Sequence, residues 1–422
     1  MAGIRITLKE TGQQSIARLW VDKRDEKENP KVMDGYWVNS KGEKIALRPF
    51  DDTTLYFYFT TNKEAIGNFI SFNIIDANIT NYRDSIVYHS FFEIKSIENK
   101  VSINIYDIFK DSLYNKKREY KLNFSLYVEL SIHKKQTFPN SEKEFLKIYV
   151  LEFIPKVMEK QNPRWEIAAK CQKIWFNRDK AQKPHYTKIV TNVVTMNWVK
   201  KFSRVLPILN GLKNKMWETP PSINLFCQRL KEMIQNKDLK LPSIDVKNVK
   251  RFGSFDNSKY RIDNDGYETT LLDRYYINES VYSTSLINDP LDDLYGALGD
   301  FIFRISPKGT IEFYSDETYK ITYQKIAVYF IDSFDFVDSK FDIFSPPTYL
   351  SQPLGYWDFI NNKVSKNIFS NGLYITNESY QKYQNDTGKG GDFRLISDYE
   401  EIDINFSFLV KRDPSTGCFN KI

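Results

Sequence analysis

Four aspartates in the last third of the chain sit where an acidic group must either hold a turn or do chemistry. Asp293 lies in LDDLYGALGDF (291–301), Asp332 and Asp335 in IAVYFIDSFDFVD (326–338), and Asp392 in TGKGGDFRLISD (387–398). IAVYFI is apolar throughout and reads as a strand, so Asp332 should emerge where burial stops. Regular alternation puts Asp332 and Asp335 on opposite faces, whereas a bend at Ser333-Phe334 brings both to one cleft. Two carboxylates held together repel, and the arrangement persists only if they share a proton or a cation. Such a pair could bind Mg²⁺ or Ca²⁺ and polarise a phosphoryl oxygen. The competing reading is structural, with each acid capping a turn.

Two further segments invite chemistry and admit plainer readings. Successive glycine N–H groups in GKGGDF could cradle an anion. The segment lacks the strand–GxxxxGK[ST]–helix setting of a phosphate loop, so Gly388, Gly390 and Gly391 more simply supply φ > 0 in a long turn that Asp392 caps. In QPLGYWD (352–358), Trp357 beside Asp358 suits a glycan, but also suits a buried sheet corner. Only three histidines occur, His89, His133 and His185. None is near the acidic segments in sequence, which disfavours Ser-His-Asp, Cys-His and HNH-type chemistry. Cys171, Cys227 and Cys418 form no CxxC and are odd in number, so neither a zinc site nor a disulfide framework is indicated.

The elements that must position these residues divide into three stretches. Residues 1–155 carry short β-periodic segments (IRITLKE, TTLYFYFTT, GNFISFNIID, VSINIYDIF, KLNFSLYVELSI, FLKIYVLEFI) and predict an immunoglobulin-like sandwich that binds or supports. Residues 156–250 change to helical period. Trp165, Ala168, Ala169, Gln172, Trp175 and Phe176 make one stripe, with Asn162 as N-cap and Pro163 at the first turn. A second helix is expected over 196–217, kinked or split by Pro207. A third follows Pro220-Pro221 with Ser222 as cap and Ile223, Phe226, Cys227, Leu230, Met233 and Ile234 as its stripe. Lys240–Asn264 reads as loop or linker. Residues 251–422 return to period two as an antiparallel meander with turns at Lys308-Gly309 and Ser315-Asp316. The fold class is therefore mainly β, α+β.

Composition bounds the partners. A 422-residue chain, 41% hydrophobic and 15% aromatic, is large enough for two or three packed cores. The excess of 60 basic over 54 acidic residues is mild and scattered in short clusters, so no nucleic-acid stripe is indicated. The N-terminal MAGIRITLKETGQQS has no apolar core of a Sec signal, and no apolar run approaches the roughly 18–20 residues of a membrane span. A transmembrane segment is not expected; cytoplasmic synthesis is.

Five motifs in order carry a family resemblance: Trp165 to Phe176, Asp292–Gly299, Asp332–Phe336, Leu354–Trp357 and Gly388–Phe393. Over about residues 160–405 the chain resembles an uncharacterised bacterial domain family found beside type VI secretion genes. That family supplies no settled reaction. The IDSFDF segment is also similar to the D-x-Y-D segment of the colicin M family of lipid II hydrolases. Asp332 and Asp335 match its two acids, Phe334 stands in place of its Tyr, and the following His-Arg is missing. The resemblance implies an effector of a contractile secretion system, injected into a target-cell periplasm. It would act on an envelope phosphoryl substrate such as lipid II through Asp332, Asp335, Asp392 and Asp293. A spike or tube protein or a chaperone would be its partner, with an immunity protein as antagonist. A non-enzymatic adaptor or structural cargo protein is the alternative.

Overall fold

The computed structural model describes residues 6–7, 14–15, 28–113, 123–180, 189–242, 249–262, 268–284, 289–336, 353–367, 370 and 372–422. It divides the chain into two compact units, residues 1–148 and 149–422. Strand content exceeds helix content and the paired strands are antiparallel, so the chain is of the expected mainly β, α+β class.

In the first unit, strand β2 (Thr54–Thr61) shows how sequence makes the sandwich. Leu55, Phe57 and Phe59 are buried while Tyr56 and Tyr58 alternate outward. β2 lies between β1 (Val32–Val38) and β5 (Glu98–Asn104). The facing sheet runs β8 (Leu146–Tyr149), β6 (Asn123–Ser131), β3 (Phe69–Asp76), β4 (Ile86–Glu93), with β7 (Lys135–Phe138) also paired to β6. Read in chain order as A, B, C, C′, E, F and G, strands β1 to β7 form an A-B-E sheet and a G-F-C-C′ sheet, an immunoglobulin-like Greek key. The sheets interlock through Phe57 edge-on to Phe72 at 5.7 Å and through Trp37 Nε1, which donates to the Leu126 carbonyl at 3.1 Å. Burying one such phenylalanine is worth about 2–3 kcal/mol.

The second unit is built on one seventeen-residue strand, β12 (Thr318–Phe334). Its sheet runs β9 (Lys250–Phe252), β11 (Phe301–Ser315), β12, β14 (Glu400–Arg412), β15 (Phe419–Lys421). β10 (Asn278–Tyr282) adds to β11, and β13 (Phe393–Ile396) to the end of β12. Residues Ile326 to Ile331 are buried on both faces, which explains an uninterrupted apolar run where an open sheet would alternate. On one face Ala327, Tyr329, Ile331 and Ile396 pack with Leu272, Phe255 and Ile189.

Helix α1 (Glu166–Asn177) buries Ala168, Ala169, Cys171, Gln172, Trp175 and Phe176; α2 (Pro220–Gln235) buries Ile223, Phe226, Cys227, Leu230 and Met233. The stretch expected as one helix over 196–217 is broken into Met196–Val199 and Leu206–Lys213, with Pro207 in the first turn of the latter. Among the described residues, no helix is long and apolar enough to cross a membrane.

Four local expectations are corrected. α1 begins at Glu166, not at Asn162-Pro163, and its cap comes from elsewhere in the chain. Ser222 lies inside α2 with its hydroxyl donating to the Met216 carbonyl, so it caps nothing. Lys308-Gly309 is no hairpin turn but lies within β11, opposite a β-bulge at Gln324 of β12, and the turn falls at Asp316-Glu317. Gly309 is required there because a Cβ would stand 1.9 Å from the Thr322 carbonyl oxygen. The Lys240–Asn264 stretch contains strands as well as loop, Lys250–Phe252 and Tyr260–Ile262.

Candidate functional site

Asp332 does not emerge from the strand; it is buried near its end, directly across from Leu395 of β13. Its carboxyl accepts backbone N–H groups from Ser333 and from Gly299, in the loop that follows α3 (Asp293–Ala297). Burial pushes this carboxyl well above the usual carboxylate range, and the charges of Asp335 and Asp300 add to the shift. Burial and the two neighbouring acids therefore favour the protonated form of Asp332.

Asp335 is exposed just beyond it. The expected bend exists, because the Asp335 N–H donates to the Ser333 carbonyl at 3.0 Å across a one-residue turn at Phe334. Phe334 is itself buried, stacked on Phe393 at 5.1 Å, and Gln381 Nε2 donates to the Phe336 carbonyl at 2.7 Å. These contacts hold the backbone on both sides of Asp335. α1 lies behind the site, where burial pushes the Cys171 thiol far up and the neighbouring Asp332 and Asp293 push it further, leaving it an inert thiol.

The other two aspartates are spent differently. Asp293 accepts from the Ala168 N–H at 2.8 Å, the Ile167 N–H at 3.3 Å and Trp198 Nε1 at 2.9 Å. It is the cap that α1 lacks locally. Its neighbour Asp292 caps α3 through the Tyr295 N–H at 3.0 Å and binds Arg204 bidentately at 2.7 and 2.6 Å. Asp392 accepts from Trp175 Nε1 at 2.9 Å and Gln384 Nε2 at 3.1 Å. Burial raises both Asp293 and Asp392, while these donors oppose it.

The glycine segment holds no anion nest. Gly388, Gly390 and Gly391 donate to the carbonyls of Gln384, Arg178 and Trp175, and Lys389 donates to Thr387 Oγ1. Gly388 and Gly390 have the positive φ expected of them; Gly391 does not, and a Cβ there would stand 2.5 Å from the Asp179 carbonyl oxygen. Trp357 is a buried corner packed edge-on to Trp165 at 6.1 Å, and Asp358 closes an Asx turn onto Ile360 and Asn361. Neither presents itself to a glycan.

Among the described residues, no group of three or more His, Cys, Asp or Glu converges as a metal would require. His185 lies outside the described residues.

One buried charged centre went unforeseen. Arg304 donates to Asp273 at 2.9 and 3.1 Å and stacks over Tyr276 at 3.8 Å, while Tyr329 donates to Asp273 at 2.9 Å. Burial opposes the Arg304 charge, but Asp273 more than offsets it. Its members come from separate segments with no shared motif. Gly299-Asp300 was missed too, although its glycine-acid pair within ALGDF was a usable signal.

Comparison with curated proteins and with solved structures finds no match. Residues 149–371, just over half of the sequence, match the model of a family described as "Family of unknown function (DUF6402)", a description that brings in neither type VI secretion nor colicin M. On that match, beginning where the second unit begins, the chain belongs to the DUF6402 family.

Proposed function

We propose that the chain is an effector of a contractile, type VI-like secretion apparatus, with the activity in the second unit and docking to a spike, tube or chaperone in the first. One observation carries the enzymatic part of this reading: a buried aspartic acid whose surroundings favour its protonated form stands beside an exposed aspartate at the same strand end. A buried carboxyl beside an exposed one is suited to opposite halves of an acid–base reaction. Asp332 would donate its proton to a leaving oxygen, and Asp335 would take one from an attacking water. The polyprenyl phosphate–sugar linkage of lipid II is a substrate of the right class. The likeness of IDSFDF to colicin M supports it, and Asp332 would stand in for the missing His-Arg as the proton donor. The sequence resemblance to a domain family found beside type VI secretion genes is what supports delivery into a target-cell periplasm, where an immunity protein would be needed.

A non-enzymatic adaptor is the second reading. It is favoured by Asp293 and Asp392, whose bonds to α1 and to Trp175 account for them as structural groups. Directing the chain to the periplasm of a sensitive bacterium separates the two. An enzyme stops growth and loses that effect with Asp335→Asn, whereas an adaptor is harmless in either form.

A further inference from the structure

The outer face of the G-F-C-C′ sheet in the first unit carries a second constellation, independent of the acids above. Direct cross-strand pairs put Asn73 of β3 between His89 of β4 and Glu129 of β6. His89 Nδ1 donates to Asn73 Oδ1 at 2.6 Å, which leaves Nε2 as an acceptor at the surface. Asn73 Nδ2 donates on to Glu129 Oε1 at 3.3 Å, and the same oxygen takes Tyr82 at 2.6 Å and Lys135 at 3.2 Å. Lys135 also donates to the Tyr82 hydroxyl at 2.7 Å and sits 4.5 Å over its ring. All three donors meet on Oε1, so Oε2 accepts from none of them.

A carboxylate 6% exposed on the outside of a sheet is a costly choice where a threonine would serve. Burial works to raise Glu129, but Tyr82, Lys135 and Asn73 hold it below the usual carboxylate range, so it keeps its charge. The result is a row of planar polar groups fixed in orientation before anything binds.

Beside this row stands an aromatic pair. Phe69 and Phe91, diagonal neighbours on the same face, stack at 5.4 Å and are 56% and 63% exposed. At the far end Tyr127, two residues before Glu129 on β6, stacks on Phe145 at 4.9 Å. The six-residue rise from Phe69 to Ile75, which pairs with Tyr127, spans about 20 Å. Aromatic surface, fixed polar groups and aromatic surface therefore follow one another along a flat strand direction.

We infer that this face binds an extended, β-linked glycan chain of the kind found in cell-wall polysaccharide. A pyranose presents apolar C–H faces and a rim of hydroxyls. The exposed rings meet the first, while Asn73, Glu129 Oε2, Lys135 and His89 Nε2 meet the second. A protein partner would bring larger apolar anchors and gain little from a pre-ordered row of polar groups.

The test uses the full chain and two probes: chitotetraose in calorimetry, and protease-treated peptidoglycan sacculi in a sedimentation assay. The wild type should bind chitotetraose in the micromolar-to-millimolar range and sediment with sacculi. Phe91→Ala and Asn73→Ala should each weaken both by tenfold or more at an unchanged melting temperature. Asp335→Asn should bind like the wild type, which keeps this site distinct from the proposed reaction. Absence of binding to both probes overturns the inference, as does equal binding by the variants. Retention on untreated sacculi that is absent on the protease-treated ones overturns the inference and assigns the face to a protein partner instead.

Discussion

Asp293 and Asp332 are the same residue in neighbouring parts of one unit, and their surroundings make them opposites. Each is buried, and burial raises each. Asp293 also faces a like charge, from Asp292, but meets two backbone N–H groups and an indole N–H that favour its charged form. Asp332 also accepts two N–H groups, yet it faces the charges of Asp335 and Asp300, which favour its neutral form. The first is a fastening for α1, the second the acid of the proposed reaction. Burial of an aspartate therefore says little about function until the sign of what surrounds it is known.

The largest effect that would break this contrast is on activity. Asp335→Asn is expected to lower the proposed periplasmic toxicity by about 10²–10⁴-fold, with the thermal transition unmoved. Full toxicity in a folded Asp335→Asn protein would remove the site from the mechanism. Gly390→Ala comes next, acting on the structural side alone. Its φ of +85° and the Trp175 ring, 2.4 Å from where a Cβ would sit, predict a loss of about 3 kcal/mol in denaturant unfolding.

Asp293→Ala should cost about 2 kcal/mol, from a lost cap and an orphaned Trp198 N–H. If chemical denaturation finds it neutral, Asp293 is not the cap of α1. The smallest effect concerns Asp332 and has a sign. The unfolded chain releases this proton near pH 3.9, and the folded chain holds it to higher pH. Over that interval the folded state binds more protons, so stability falls as pH rises. The contribution is complete below about pH 4 and is lost as pH climbs through the folded value. Asp332→Asn, a neutral isostere, should match the wild type at pH 4 and melt about 3 °C above it at pH 8. Parallel melting curves across that range would show that Asp332 is already ionised.

Much of the architecture was legible because period reports burial. The stripe from Trp165 to Phe176 and the run Ile326–Ile331 are buried as their spacing required. Where local sequence misled, a distant partner decided. FLKIYVLEFI reads as strand, yet only Leu146–Tyr149 pairs, and Val150 onward turns into 3₁₀ and α-helix. In VSINIYDIF the strand ends at Asn104 and helix begins at Ile105. β4 was overlooked because YHSFFE alternates poorly: Phe91 points outward where an apolar residue should face the core. At the site, the bend after Asp332 was readable only as one of two alternatives, the other being regular alternation. The Gly299 N–H was not, since nothing in ALGDF names the strand it would reach.

The cap of α1 also orders events in time. Its two donors wait for an acceptor more than 120 residues further along the chain. During synthesis the helix emerges long before Asp293 does, so its first turn must fray until the DDLYG segment arrives. Closing so long a loop is slow compared with forming a helix. A nascent chain halted before residue 290 would hold the body of α1 without its beginning, and the arrival of one aspartate would complete the helix before the main strands of the sheet are made.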